Sequence, residues 1–108
     1  MADPPRLLQG REQEGSRPVL IVSADQINHG PTGLSVVVPI TNRDRGLPLH
    51  VAVDPPEGGL SEHSVLLAEQ VHAADHSRLA RLMGRVSDLT LLEIEDRLRI
   101  VLDLDGPV

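Results

Sequence analysis

Three residues of this 108-residue chain have side chains and settings suited to work on a phosphate. Arg17 stands directly before Pro18, and a residue that precedes proline is restricted to extended backbone. The restriction holds its guanidinium at the entry of the apolar run Val19-Leu20-Ile21-Val22 rather than on a loose loop. Thr41 closes the run Val36-Val37-Val38-Pro39-Ile40. Strand alternation puts Val36, Val38 and Ile40 on one face and Thr41 on the other, so a core on the first face turns the hydroxyl outward. Glu12 supplies a carboxylate able to accept a proton. A fixed cation and a hydroxyl donor offset charge building on phosphorus oxygens, while a general base removes a proton from the attacking group. Guanidinium hardly gives up its proton, so the role open to Arg17 is electrostatic. Each residue also has a plainer reading: an ordinary rim arginine, a threonine chosen for strand propensity, a solvated loop charge.

These residues need elements to hold them. Four apolar runs, 19–23, 33–41, 50–53 and 64–74, are separated by the turn-rich stretches NHGPTG, NRDRGLP and DPPEGGL. The first, second and fourth are too continuous for a one-sided sheet and read as strands covered on both faces. Short strands at such spacing predict a small barrel or sandwich rather than a parallel α/β sheet. Residues 75–82 read as one or two helical turns ended by Gly84. Leu91, Ile94, Leu98 and Val101 then recur at helical steps, predicting an amphipathic helix over 88–103 across one mouth of the barrel. Ser87 is its expected N-cap, and Glu93–Arg97 and Glu95–Arg99 are i,i+4 pairs in the favoured orientation.

Composition narrows the classes. The length suits one domain with a modest core. Without cysteine, neither a disulfide nor a thiolate metal site is available. No apolar run approaches the roughly 20 residues of a membrane span, and the N-terminus lacks the pattern of a signal peptide, so a cytoplasmic protein is expected. Phe, Tyr and Trp are all absent, which excludes aromatic stacking platforms for bases. The net charge of −6 argues against broad electrostatic binding of nucleic acid. That charge is uneven: residues 1–53 carry five arginines against five acids, and residues 54–108 five against eleven. All ten basic residues are arginine, the better bidentate ligand for phosphate.

The segments GREQEGSRPVLIVS, TGLSVVVPIT, RGLPLHVAV, SVLLAEQV and RLMGRVS, followed by the final helix, resemble in order the MazF/PemK toxin family of toxin–antitoxin systems. The resemblance covers about residues 10–104, and the G-x-E-Q-x-G-x-R-P block is its most specific piece. It implies an α+β, mostly β fold: a small SH3-like β-barrel of the MazF/PemK/CcdB-like kind, usually a homodimer. It also implies metal-independent cleavage of single-stranded RNA without a cofactor, and an antitoxin protein that occupies the RNA groove. Thr41 matches the family's catalytic threonine in the V-P-x-T block, and Glu12 its acidic position in G-x-E-Q. The family's usual strand upstream of G-x-E-Q has no counterpart in MADPPRLLQ, which holds two prolines and no strand-like alternation. Residues 1–9 are therefore expected to be irregular, with a single toxin domain over 10–105. A non-catalytic interaction module on the same barrel is the alternative, since fold alone does not establish chemistry.

Several further side chains fit an RNA groove. Gln13 and Gln70 offer amides to base edges, or else satisfy loop and strand amides. Asn42, Arg43 and Arg45 follow Thr41 in a loop that forms either a groove wall or a solvated turn. His50 is the histidine placed nearest such a groove. His29, His50, His63, His72 and His76 lie in different elements, and no H-E-x-x-H motif links any of them. No metal site is expected. His72 and His76 form the one i,i+4 pair, expected to straddle a strand end.

Overall fold

The computed structural model describes residues 6–12 and 15–104, with the side chains of residues 6–16 outside that description. In chain order come β1 (Arg6–Glu12), β2 (Gly15–Ile21), α1 (Asp25–Asn28), β3 (Leu34–Thr41), β4 (His50–Val53), β5 (Ser64–Leu67), β6 (His72–Asp75), β7 (Leu79–Arg85) and α2 (Asp88–Leu102). Three short 3-10 turns, Glu57–Gly59, Ala68–Gln70 and His76–Arg78, interrupt the second half. The strands form one antiparallel sheet of order β4-β5-β3-β2-β1-β7, with β6 also beside β3. This is the mostly-β α+β fold with a C-terminal helix, an SH3-like barrel left open between its end strands.

β3 governs the sheet. One edge pairs with β2 in the register Val19↔Pro39, Leu20↔Val38, Ile21↔Val37. The other edge changes partner: Leu34–Val37 face β6, and Ile40–Thr41 face β5. Pro39 lies at that change, where this second edge has no register partner to ask for the N–H that proline lacks. The run 64–74 therefore does not remain one strand. It steps away from β3 through the 3-10 turn Ala68–Gln70 and returns as β6.

The β2–β3 pair is buried on both faces, as the continuous apolar runs predict. Leu20, Val38 and Ile40 join Val51, Val53, Leu66 and Ile94 in the larger apolar cluster, which α2 covers through Leu91, Leu98 and Val101. Val19, Ile21 and Val37 point the other way, into a small cluster with Ala74 and Leu79. Val36, expected in the core with Val38 and Ile40, is only half-buried, because its partner on β6 is the small, exposed Ala73.

Two other expectations are corrected. Residues 6–9, read as irregular, belong to β1, which pairs with β2 on one side and β7 on the other. The strand takes in Gly10 and Glu12 of the G-x-E-Q block itself, so the block's own residues occupy the sheet position for which no separate upstream strand was found. Residues 75–82, read as helical, hold only the turn His76–Arg78, capped where Asp75 accepts from the Ser77 amide. The chain then extends as β7 because the free edge of β1 offers it a ladder. Gly84 sits inside β7 rather than ending a helix. A Cβ there would lie 2.6 Å from the Gly58 backbone, so a glycine lets β7 approach the turn Glu57–Gly59 and narrow the gap in the barrel.

α2 begins where expected. The Ser87 hydroxyl accepts from the Thr90 amide at 3.2 Å, and Glu57 accepts from the Ser87 amide at 3.0 Å and from the Thr90 hydroxyl. Arg97 pairs with Asp96 and donates to the Pro48 carbonyl, rather than bridging to Glu93. Among the described residues, no helix is long and apolar enough to cross a membrane.

Candidate functional site

Continuing the β2–β3 register by two residues sets Arg17 across from Thr41, on the face that carries Val19 and Pro39. The two residues border the same open groove, of about 720 Å³. Its floor is a row across four strands, His50–Leu67–Pro39–Val19, given by the registers of β4 with β5 and of β3 with β2. Arg43, Arg45, Gln70, His72 and Arg78 stand around it, with Glu69 its one acidic residue among the described side chains. Four of the ten arginines thus face one groove of a protein whose net charge is −6. Arg17, Arg43 and Arg45 make no ion pair among the described residues. Unpaired like charges gathered in a concavity repel one another, and an anion relieves that repulsion. Guanidinium groups match a phosphate in both charge and shape.

Thr41 is held for donation. Its oxygen accepts the Arg43 amide at 3.2 Å, so the turn after β3 uses the acceptor side of the hydroxyl and leaves the O–H for another group. The loop that carries Arg43 and Arg45 is tied down twice. Asp44 accepts from the Gly46 amide at 2.8 Å, where Gly46 has φ +67°, and from His63 Nε2 at 2.8 Å. His63 bonds Asp54 with its other ring nitrogen. The hydrogen bond from His63, then that from Gly46, hold the Asp44 carboxyl below its ordinary value. The bonds to Asp44 and Asp54 raise the imidazole of His63.

His50 is less exposed than a groove residue would suggest, with 5% of its side chain accessible. Its Nε2 meets Glu69 Oε2 at 3.0 Å, while Nδ1 is buried without a hydrogen-bond partner among the described residues. Burial would raise the carboxyl of Glu69, but hydrogen bonds from His50 and from its own backbone outweigh this and hold it low. His72 donates from Nδ1 to the Gln70 carbonyl at 2.9 Å, which orients the ring at the groove wall.

The structure thus gathers Arg17, Thr41, Arg43, Arg45, His50 and Gln70 around one concavity. Asn42 stands apart from them and faces a second cavity, beyond the Arg17–Thr41 pair. The backbone of Glu12 lies in β1, two residues beyond Gly10, the register partner of Arg17, but its side chain is outside the described residues. Gln13 lies outside them altogether. Arg78 and His72 escaped the sequence reading. Arg78 fell in a stretch taken as helical, and His72 in one taken as uninterrupted strand. The arginine-only basic composition was the one available signal for Arg78, and His72 had none. Among the described residues, no three histidine or acidic side chains converge so as to hold a metal ion.

The fold recurs in known proteins. A mycobacterial endoribonuclease, solved in complex with its cognate antitoxin, superposes with a TM-score of 0.82 at 25% identity, over 94% of this chain and 95% of that one. MazF in a MazE–MazF complex from Deinococcus radiodurans gives 0.80 at 29% identity, over 93% of each chain. MazF alone from the same organism gives 0.80 at 27% identity, over 94% and 96%. The family model described as PemK-like, MazF-like toxin of type II toxin–antitoxin system matches residues 1–102, and the chain belongs to that family.

Proposed function

We propose that this toxin is a metal-independent endoribonuclease that cuts single-stranded RNA at short sequences, with Arg17 and Thr41 at the cleavage point. The observation that carries the reading is their placement on adjacent strands at the edge of a groove bearing four arginines. RNA brings its own nucleophile. The 2′-OH attacks the neighbouring phosphorus, the P–O5′ bond breaks, and the products are a 2′,3′-cyclic phosphate and a free 5′-hydroxyl. Arg17 neutralises charge on the non-bridging oxygens, and the Thr41 hydroxyl donates to one of them. The carboxylate of Glu12 takes the 2′-OH proton, and solvent water in the open groove supplies the proton that the leaving 5′-oxygen takes up. Arg43, Arg45 and Arg78 hold flanking phosphates, while Gln13, Asn42, His50 and Gln70 contact bases or backbone.

The working partner is an acidic antitoxin protein of the MazE kind that covers the arginine groove, and the working form is a homodimer. Related chains crystallise with their antitoxins, which supports the first of these.

The test is digestion of a long single-stranded RNA in excess EDTA, with chemical identification of the ends. Cuts that leave cyclic phosphate and 5′-hydroxyl ends are expected. Intact RNA together with tight antitoxin binding would move the chain to the interaction-module reading.

A further inference from the structure

The Arg17–Thr41 pair stands between two cavities, one with three further arginines and one with Glu62. Beyond it from the arginine groove lies a second cavity of about 430 Å³, within the range of about 300–1,000 Å³ typical of small-ligand pockets. Its floor is apolar, made by the buried Ile40 and Leu60 and the half-buried thioether of Met83. Arg17 and Thr41 form the wall shared with the arginine groove, and the polar groups away from that wall come from Asn42, Ser61, Glu62 and Ser64. The carboxylate of Glu62 is exposed but held in place: Asn42 Nδ2 donates to its Oε2 at 2.9 Å, and the Ser64 hydroxyl donates to its carbonyl at 3.0 Å.

A carboxylate here is wrong for a phosphate and right for a hydrogen-bond donor. RNA threaded past Arg17 would keep its backbone on the guanidinium and turn a base into this pocket. The flat apolar floor takes the base face in a chain that has no aromatic ring. The carboxylate takes N–H groups from the base edge.

We propose that this cavity is a nucleobase subsite next to the cleavage point, in which Glu62, positioned by Asn42, selects a base with amino or adjacent imino donors. Guanine, with N1–H and N2–H side by side, fits best. Uracil fits worst, because its single N–H lies between two carbonyl oxygens that face the carboxylate. The proposal rests on the nuclease reading above.

The test is digestion of a randomised RNA pool in EDTA by wild type, Glu62→Gln and Asn42→Ala, with every cut end sequenced. Wild type is expected to disfavour uracil at one position flanking the cut. Glu62→Gln should lower that discrimination about tenfold at that position and leave preferences elsewhere unchanged. Asn42→Ala should weaken it less, since the carboxylate stays but loses its tether. The readout is a ratio between bases, which a general gain in RNA affinity from the lost charge would not move. Wild-type cutting with the same base preferences in Glu62→Gln would overturn the subsite and leave the nuclease standing. Enrichment of uracil at both flanking positions would also overturn it. Absence of cutting by wild type would remove the nuclease reading and the subsite together.

Discussion

The two faces of the β2–β3 pair do different work. One carries Leu20, Val38 and Ile40 into a cluster that α2 seals with Ile94, Leu91 and Leu98. The other carries Val19, Ile21 and Val37 into a smaller cluster that no helix covers among the described residues, and two residues further along it carries Arg17 and Thr41. Alternation along a strand lets one segment serve both. The sealed face provides stability, and the open face spends its exposure on charged groups aimed at a groove. Substitutions on the two faces should therefore separate cleanly, with stability lost on one side and RNA chemistry on the other.

The largest loss of stability is expected from Ile94→Ala. Ile94 is fully buried on the inner face of α2, and truncations of this kind cost about 2–5 kcal/mol. Denaturant unfolding should show it as a lower midpoint with an unchanged slope. The same truncation at Val37 removes fewer atoms from a smaller cluster and should cost less; an equal cost would erase the contrast between the faces.

Glu57 links α2 to the barrel rim through Ser87 and Thr90. Burial would raise its carboxyl, but the bonds from Thr90 and Ser87 outweigh that and hold it below its ordinary value of 4.5. A depressed carboxyl stabilises the fold above the unfolded value and loses that contribution as pH falls through the folded one. Glu57→Gln should cost about 1 kcal/mol at neutral pH, allowing for its partial exposure. The difference from wild type should shrink on acidification; a constant difference down to the acid limit would contradict the role given to the charge.

A smaller effect belongs to the loop of Arg43 and Arg45. The raised His63 stabilises its bridge fully below the ordinary imidazole value and loses that contribution as pH rises through the folded one. The depressed Asp44 contributes above its ordinary value and loses this on acidification. The bridge is therefore strongest between the two transitions. An NMR titration should find the His63 midpoint above 6.5 and shift it downward in Asp44→Asn. A midpoint unmoved by that substitution would dissolve the bridge. Each of Arg43→Ala and Arg45→Ala should also reduce the salt dependence of RNA binding by about one phosphate contact.

Legibility in the sequence followed the same division. The helix was readable because Leu91, Ile94, Leu98 and Val101 keep a strict period and Ser87 caps it. The doubly covered strands were readable as continuous β-branched runs. Arg17 and Thr41 stood out through the G-x-E-Q-x-G-x-R-P and V-P-x-T blocks around them, since a rim arginine and a strand-end threonine are ordinary by themselves. What local pattern did not carry was pairing between distant strands. β1 forms from residues with no alternation because β2 and β7 flank it, and β7 forms because β1 leaves an edge open. His72 reaches the groove because β6 pairs with β3, and Arg78 through the turn that follows β6, so no motif could mark them. Asn42 was found by its nearness to Thr41, but adjacent residues in an extended chain diverge, and it turned toward the other cavity.

The central claim is that the open face cuts RNA through Arg17. Wild type and Arg17→Ala should be compared on one long RNA in EDTA, with thermal unfolding of both proteins as the control for folding. Loss of a preorganised charge donor costs about 10²–10³ in rate. The expected result is a fall of that size in cutting by Arg17→Ala, with an unfolding temperature equal to that of wild type. Equal cutting by the two proteins would contradict the account.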